Sequence, residues 1–214
     1  MNKNPTLKNA VAAAGRALVA VGEQGGRGFV IKTRSGPLVI TAAHCLPALP
    51  VPHPWAEDSR VWRVLGPIGK KPTVIAECCF VDPVADIAVL GPPSDQQLVG
   101  AYSAFIGAVK ALNVGVLPRN AEDQLRGWLL SVDRTPFQCT VTYQKNGPIW
   151  LDATQKIIGG MSGSPILADD GTAIGVVSCS GGLEENEGGP NARLDSHLPA
   201  WLLRDISTGE NWLR

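Results

Sequence analysis

The sequence offers little to a polyanion. Its 19 Lys+Arg residues balance 19 Asp+Glu residues, so the formal net charge is zero. A neutral chain has no electrostatic footprint for a nucleic acid backbone or an anionic membrane surface. No uninterrupted apolar run approaches the ~20 residues that a spanning helix requires. Charged residues make up only 18% of the 214 positions and hydrophobic residues 44%, a balance that excludes a disordered chain and a coiled coil. Cysteine is sparse and poorly spaced for metal. Cys45, Cys78, Cys79, Cys139 and Cys179 include one adjacent pair but no C-x-x-C, which argues against a disulfide framework and against structural zinc. The expectation is free thiols, a reducing compartment such as the cytoplasm, and no metal or cofactor. A secretory leader is not expected either. The apolar stretch from Ala10 to Gly15 is cut off by Arg16, and a leader core runs to ~7–15 apolar residues. A short helix fits better, with Asn4 as cap, Pro5 in the first turn, and Leu7, Val11, Ala14 and Leu18 on one face.

What the sequence has in quantity is turn formers, 24 glycines and 17 prolines. Such a share suits many short strands joined by tight turns. In the first half, 17–22, 28–33, 37–41, 61–65, 73–80 and 86–90 read as strands, with Arg34-Ser35-Gly36 as a hairpin turn. The pattern breaks at Gly91-Pro92-Pro93-Ser94-Asp95, which reads as a linker. In the second half, Phe137, Cys139, Val141 and Tyr143 alternate with polar residues on one strand. Further strands are expected at 126–132, 149–151, 164–168 and 172–180, with Asp170-Gly171 as a hairpin turn. The acidic, glycine-rich stretch 183–191 reads as an exposed loop. Leu198, Trp201, Leu202 and Ile206 then predict a closing helix capped by Asp195 or Ser196. The chain is therefore expected to be all-β, two antiparallel units of about six strands over 1–95 and 96–214, with a C-terminal α-helix.

Three short segments carry chemistry. His44 follows Thr41-Ala42-Ala43 at the end of an apolar strand, where two small neighbours allow its imidazole to point into a cleft, the other reading being a histidine that merely caps the strand; imidazole is suited to proton transfer near neutral pH. Asp86 opens the almost wholly apolar run Ile87-Ala88-Val89-Leu90. A carboxylate there needs partners, and the ring N–H of a histidine would answer that need and fix its tautomer. Asp82, just before Pro83, reads instead as a turn residue. In Gly159-Gly160-Met161-Ser162-Gly163-Ser164-Pro165, glycines around a serine permit a tight loop with converging N–H groups.

Thr41-Ala42-Ala43-His44-Cys45, Asp86-Ile87-Ala88 and Gly160-Met161-Ser162-Gly163-Ser164-Pro165 together resemble the trypsin/chymotrypsin-fold serine peptidases, and the likeness spans nearly the whole chain. The resemblance implies two six-stranded β-barrels, a cleft between them and a C-terminal helix. It also implies Ser162 as nucleophile, His44 as general acid/base, Asp86 as orienting carboxylate, and the N–H groups of Gly160 and Ser162 as oxyanion hole. Ser178-Cys179-Ser180 resembles the strand that pairs with a bound peptide in this family. The departures matter too. Phe29 stands where secreted members carry the partner of the cysteine after the histidine, so Cys45 is expected to be a free thiol. Met161 stands where zymogen-activated members have an aspartate, so that activation route is absent and a protein activator is an open question. Lys156, six residues before Ser162, matches the base of the family's primary pocket, where a lysine would favour an acidic substrate; a solvated lysine is the preferred reading, since Lys is rarely buried unpaired. The implied activity is hydrolysis of protein or peptide bonds. The alternative is a catalytically inactive module of the same fold that binds peptides without cutting them.

Overall fold

The computed structural model describes residues 5–50, 60–117, 123–144, 147–178 and 186–206. Helix α1 (Pro5–Ala14) leads into strands β1 (Leu18–Val21), β2 (Gly26–Ile31), β3 (Leu38–Thr41), β4 (Val61–Gly66), β5 (Val74–Asp82) and β6 (Ile87–Gly91). Helix α2 (Gln96–Gly107) follows. The second set is β7 (Asp123–Leu130), β8 (Pro136–Tyr143), β9 (Ile149–Ala153), β10 (Pro165–Ala168), β11 (Ala173–Val176) and β12 (Glu187–Arg193), closed by helices α3 (Leu194–His197) and α4 (Ala200–Ile206). The strands form two closed antiparallel barrels, ordered β1-β2-β3-β6-β5-β4 and β10-β11-β12-β9-β8-β7. Read as rings, the two share one connectivity, each strand of the second matching the strand six earlier in the first.

Period-2 alternation explains how these strands close. In β8, Phe137, Cys139, Val141 and Tyr143 are buried while Gln138 and Thr142 face solvent, as the sequence pattern requires. Together with Leu129, Ile149, Leu151, Ile166 and Ile174 they fill the second barrel. Strand β6 is buried along its whole length because it divides its side chains between two cores. Ala88 and Leu90 fill the first barrel with Val19, Val30, Val39 and Val64. Ile87 and Val89 face outward into a third core between the barrels, shared with Phe29, Ile31, Ile40, Leu130, Leu167 and Val176. Each of these large side chains contributes ~1.5–3 kcal/mol by leaving water, so the contact between barrels is a core in its own right. The connection from α2 to β7 is stitched into the same seam: the Leu112 N–H donates to Val30 at 2.8 Å, and the Gly115 N–H to Ala173 at 2.8 Å.

Both predicted hairpin turns are found, joining β2 to β3 and β10 to β11. Four expectations need correction. Leu18 belongs to β1 rather than to the face of α1, because a single 3-10 turn at Gly15–Ala17 ends the helix first. Residues 91–95 are not a plain linker: Gly91 completes β6, and the Asp95 carboxylate caps α2 by accepting the Gln97 N–H at 2.9 Å. The helix then lays Tyr102 and Ile106 on the first barrel's core. The described part of the expected loop 183–191 runs into β12, which pairs with β9 and β11, with Gly189 close against Ile149 and Trp150. Strand β11 correspondingly stops at Val176. Finally, the closing helix is two helices. Leu198-Pro199 separates α3 from α4, with proline unable to donate to the turn before it. Asp195 is no cap; its carboxylate instead holds Arg193 and the Leu117 N–H. No helix among the described residues is long and apolar enough to cross a membrane.

Candidate active site

The site is assembled where the two barrels meet. His44 sits in a 3-10 turn (Ala43–Cys45) immediately after β3. Ala42 and Ala43 are buried beneath it, and its own side chain is 49% exposed. Asp86 lies in the turn before β6 rather than within the strand, with φ of 54°. Left-handed backbone is uncommon away from glycine, and Asp and Asn tolerate it better than most. That conformation lets both carboxylate oxygens serve His44. Oδ1 accepts the His44 backbone N–H at 2.9 Å and Oδ2 lies 2.7 Å from the ring Nδ1. A third donor, the Ser178 hydroxyl, also reaches Oδ2. Asp82 behaves as the turn residue expected of it, its Oδ1 accepting the Val84 and Ala85 N–H groups at 2.9 and 3.1 Å.

Ser162 comes from the loop between β9 and β10. Short backbone bonds define that loop: Met161 N–H to Ile158, Ser164 N–H to Met161, and Gly163 N–H to Val177 at 2.7 Å. Gly163 has φ of +80°, and a side chain there would come within 1.8 Å of the Arg27 carbonyl oxygen, so only glycine lets the loop approach β2. The first barrel holds this loop directly: the Arg27 N–H donates to the Ser162 carbonyl at 2.9 Å, and Thr41 Oγ1 donates to the Arg27 carbonyl at 2.5 Å. Gly160 also takes positive φ, +84°. Neither its N–H nor that of Ser162 has an acceptor among the described residues.

A cleft of about 270 Å3 is lined by His44, Ile157, Ile158, Gly159, Ser162, Val177 and Ser178. His44, Asp86, Ser162 and Ser178 are thus brought together from both barrels. The Ser162 hydroxyl donates to the Ser178 carbonyl at 3.2 Å; no hydrogen bond joins it to the imidazole among the described residues. Gly160 borders a second groove with Gly25, Arg27 and Lys70. Lys156 is exposed, in keeping with the solvated reading, and is not among the residues described as lining the cleft; its neighbour Ile157, 3% exposed, is among them. Cys179 and Ser180 lie outside the described residues. Cys45 is a free thiol, and burial pushes its pKa up to about 11, which keeps it neutral beside His44. Cys78 and Cys79 are raised to about 11 by the same cause. No group of three or more His, Cys, Asp or Glu residues that could hold a metal occurs among the described residues.

One residue at this junction carries no sequence signal. Arg27 reads as an ordinary polar position in a glycine-rich strand, yet it is 3% exposed. Its guanidinium crosses to the second barrel and donates to the Ser131 and Val132 carbonyls at 2.8 and 2.5 Å. Burial is the main cause that lowers its pKa, with Arg134 nearby adding to it.

The trypsin-like peptidase domain model matches residues 26–176, which run from the start of β2 to the end of β11 and hold His44, Asp86 and Ser162. The chain belongs to the trypsin-like peptidase domain family. Among solved structures, it is similar to the inactive form of the Rv3671c protease, with 18% identity, a TM-score of 0.57, and 97% of each chain covered. The active form of the same protease from M. tuberculosis gives 18% identity and a TM-score of 0.57, covering 98% of this chain and 90% of that one. At such identity the likeness shows the fold, two six-stranded barrels. No curated protein gives a significant sequence match. Family membership supports a peptidase function.

Proposed function

We propose that the chain is a serine endopeptidase in which Ser162 is the nucleophile, His44 the general acid/base and Asp86 the orienting carboxylate. The observation that carries this reading is the 2.7 Å contact between His44 Nδ1 and Asp86 Oδ2 beside Ser162 in one cleft. A carboxylate on Nδ1 fixes the tautomer that leaves Nε2 free to accept a proton, and it stabilises the imidazolium that results. The Ser162 hydroxyl leaves the Ser178 carbonyl and hands its proton to His44 as Oγ bonds to the substrate carbonyl carbon. The oxyanion so formed is received by the N–H groups of Gly160 and Ser162, each worth about 3 kcal/mol in such a role. His44 then gives its proton to the leaving nitrogen as the C–N bond breaks. Water, deprotonated by His44, cleaves the acyl-enzyme to a carboxylic acid and restores the serine. No step needs a metal or cofactor. Substrate backbone would add as a strand along the segment that begins at Ser178. The raised thiol pKa values make each described cysteine a poor rival nucleophile, and free Cys45, Cys78, Cys79 and Cys139 support a reducing compartment such as the cytoplasm.

The test is labelling of the purified chain with a fluorophosphonate, read by intact mass and peptide mapping, with Ser162→Ala alongside. One adduct on Ser162, absent from the variant, is expected. A folded chain that takes no adduct would favour the peptide-binding module, for which the Ser162–Ser178 hydrogen bond would be a resting arrangement of an inert serine.

A further inference from the structure

Arg27 touches three parts of the molecule at once. Its N–H donates to the Ser162 carbonyl, and its own carbonyl accepts Thr41 Oγ1, three residues before His44. Its guanidinium leaves β2 and spans to the second barrel, where Nη1 donates to the Ser131 carbonyl and Nη2 to the Val132 carbonyl. Those carbonyls sit in the turn between β7 and β8, and the turn is itself tightly built. The Ser131 N–H donates to the Thr135 carbonyl at 3.0 Å and the Arg134 N–H to the Ser131 carbonyl at 2.9 Å. The Asp133 carboxylate gathers the Ser131 hydroxyl and both donors of Thr135. These bonds close a circuit. From the turn, β7 runs beside β10, with Trp128 opposite Leu167 and Gly127 opposite Ala168, and β10 is the strand that leaves the Ser162 loop. The loop is thus held at its carbonyl by the Arg27 N–H, and from behind by a strand whose neighbour the Arg27 guanidinium grips. Arg27, Val132 and Gly160 also line one groove, so a shift of the turn against β2 would reshape the wall that Gly160 borders.

A guanidinium suits this place. Its N–H groups form a planar, rigid fork that meets two successive carbonyls at once, and bonds from a charged donor are about twice as strong as neutral ones. A buried ion is by itself weak evidence for stability, since a well-packed apolar side chain often serves as well. What an apolar side chain cannot do is fix two carbonyls of the other barrel. We propose that Arg27 is a positioning residue, its guanidinium acting as a strut that sets where the Ser162 hydroxyl and the Gly160 N–H stand relative to His44. The inference rests on the serine-peptidase reading and adds to it a residue that acts on the nucleophile from the opposite barrel. Loss of the strut leaves the bond between His44 and Asp86 in place but loosens the loop, and a misplacement of ~1 Å from outside the chemistry can cost about 10^2-fold. The loss falls on the step in which Oγ bonds to carbon, so it lowers kcat rather than raising KM.

The measurement is steady-state kinetics of the full chain on quenched peptides that the parent cleaves, with the rate of fluorophosphonate labelling of Ser162 on the same preparations. Arg27→Met should lower kcat by roughly 10–100-fold with KM little changed, and should slow labelling by a similar factor. Arg27→Lys keeps the charge and the donors but not the fork, and should recover part of the loss. Asp133→Ala loosens the turn from its exposed side without touching the guanidinium. It should lower kcat by a smaller factor with Tm near the parent's, and it decides the matter if Arg27→Met does not fold. A labelled parent whose folded Arg27→Met variant keeps the parental kcat, or raises KM alone, would overturn the inference and leave the peptidase reading intact. If Arg27→Met does not fold, parental kcat in Asp133→Ala would do the same. A folded parent that neither labels nor cleaves would overturn both.

Discussion

The two barrels share one strand connectivity and yet present their chemistry in different ways. The first places His44 and Asp86 at the ends of strands, one turn from β3 and β6, and ties them to each other through a backbone N–H and a ring nitrogen. Geometry there is inherited from the sheet. The second barrel suspends Ser162 on a loop that bonds partly to itself and partly to Val177, and it borrows a fixed point from its neighbour, the Arg27 N–H on the Ser162 carbonyl. A strand end is rigid because the ladder behind it is rigid. A loop is only as rigid as its glycines and its anchor allow, so this architecture makes the first barrel the template for the second.

The largest way to test that asymmetry is to remove the proposed base. His44→Ala should lower peptide turnover by roughly 10^5–10^6-fold, the scale on which loss of a single triad member equals loss of the whole unit, while circular dichroism and Tm stay near those of the parent. A variant retaining most of its turnover would refute the proposed roles. Asp86→Asn is next, since asparagine also tolerates left-handed backbone and keeps the turn. The wrong imidazole tautomer should cost roughly 10^4-fold in kcat, with KM little changed in steady-state kinetics. Arg27→Met sharpens the comparison differently. It keeps the β2 backbone bond to Ser162 but strands two carbonyls that the guanidinium now satisfies, so denaturant unfolding should show a loss of about 1–3 kcal/mol. Activity at a temperature where the fold persists should fall less than for the two variants above. The smallest expected effect is from iodoacetamide. With Cys45 raised to about 11, the thiol is almost wholly protonated at neutral pH and becomes nucleophilic only as pH approaches that value. Treatment near pH 7 should therefore leave Cys45 unmodified by peptide mapping, whereas rapid inactivation with alkylation mapped to Cys45 would shift the chemistry to sulfur.

Much of this molecule was readable in one dimension. Both hairpin turns and the alternating strand β8 followed from local rules, because a turn residue and a period of two need no knowledge of the far chain. His44, Asp86 and Ser162 stood out through residue types at separated positions, and the fold brings those positions to one cleft. The failures have a common cause in tertiary context. Helix α2 carries its signals, Asp95 as cap and Leu98, Val99, Tyr102 and Ile106 at helical spacing, but the Gly-Pro-Pro run before it also has the composition of a linker. Strand β12 contains Gly188, Gly189 and Pro190, poor strand formers on any local scale, and it exists because β9 and β11 flank it on both sides. Arg27 gave no signal because nothing local tells that carbonyls from residues 131 and 132 arrive to meet it. Lys156 is exposed, as its preferred reading requires, whereas the place of its neighbour Ile157 in the cleft lining is decided by the path of the loop.

The bond from Arg27 to the Ser162 carbonyl also carries a consequence in time. A chain made from its N-terminus completes β1 to β6, with His44 and Asp86 in place, well before residue 162 leaves the ribosome. The Ser162 loop then has no anchor on the first barrel until the second barrel closes and docks against β2. Under the proposed chemistry, hydrolytic power is the last property the nascent protein acquires, and a half-made chain cannot cut itself or its neighbours during synthesis.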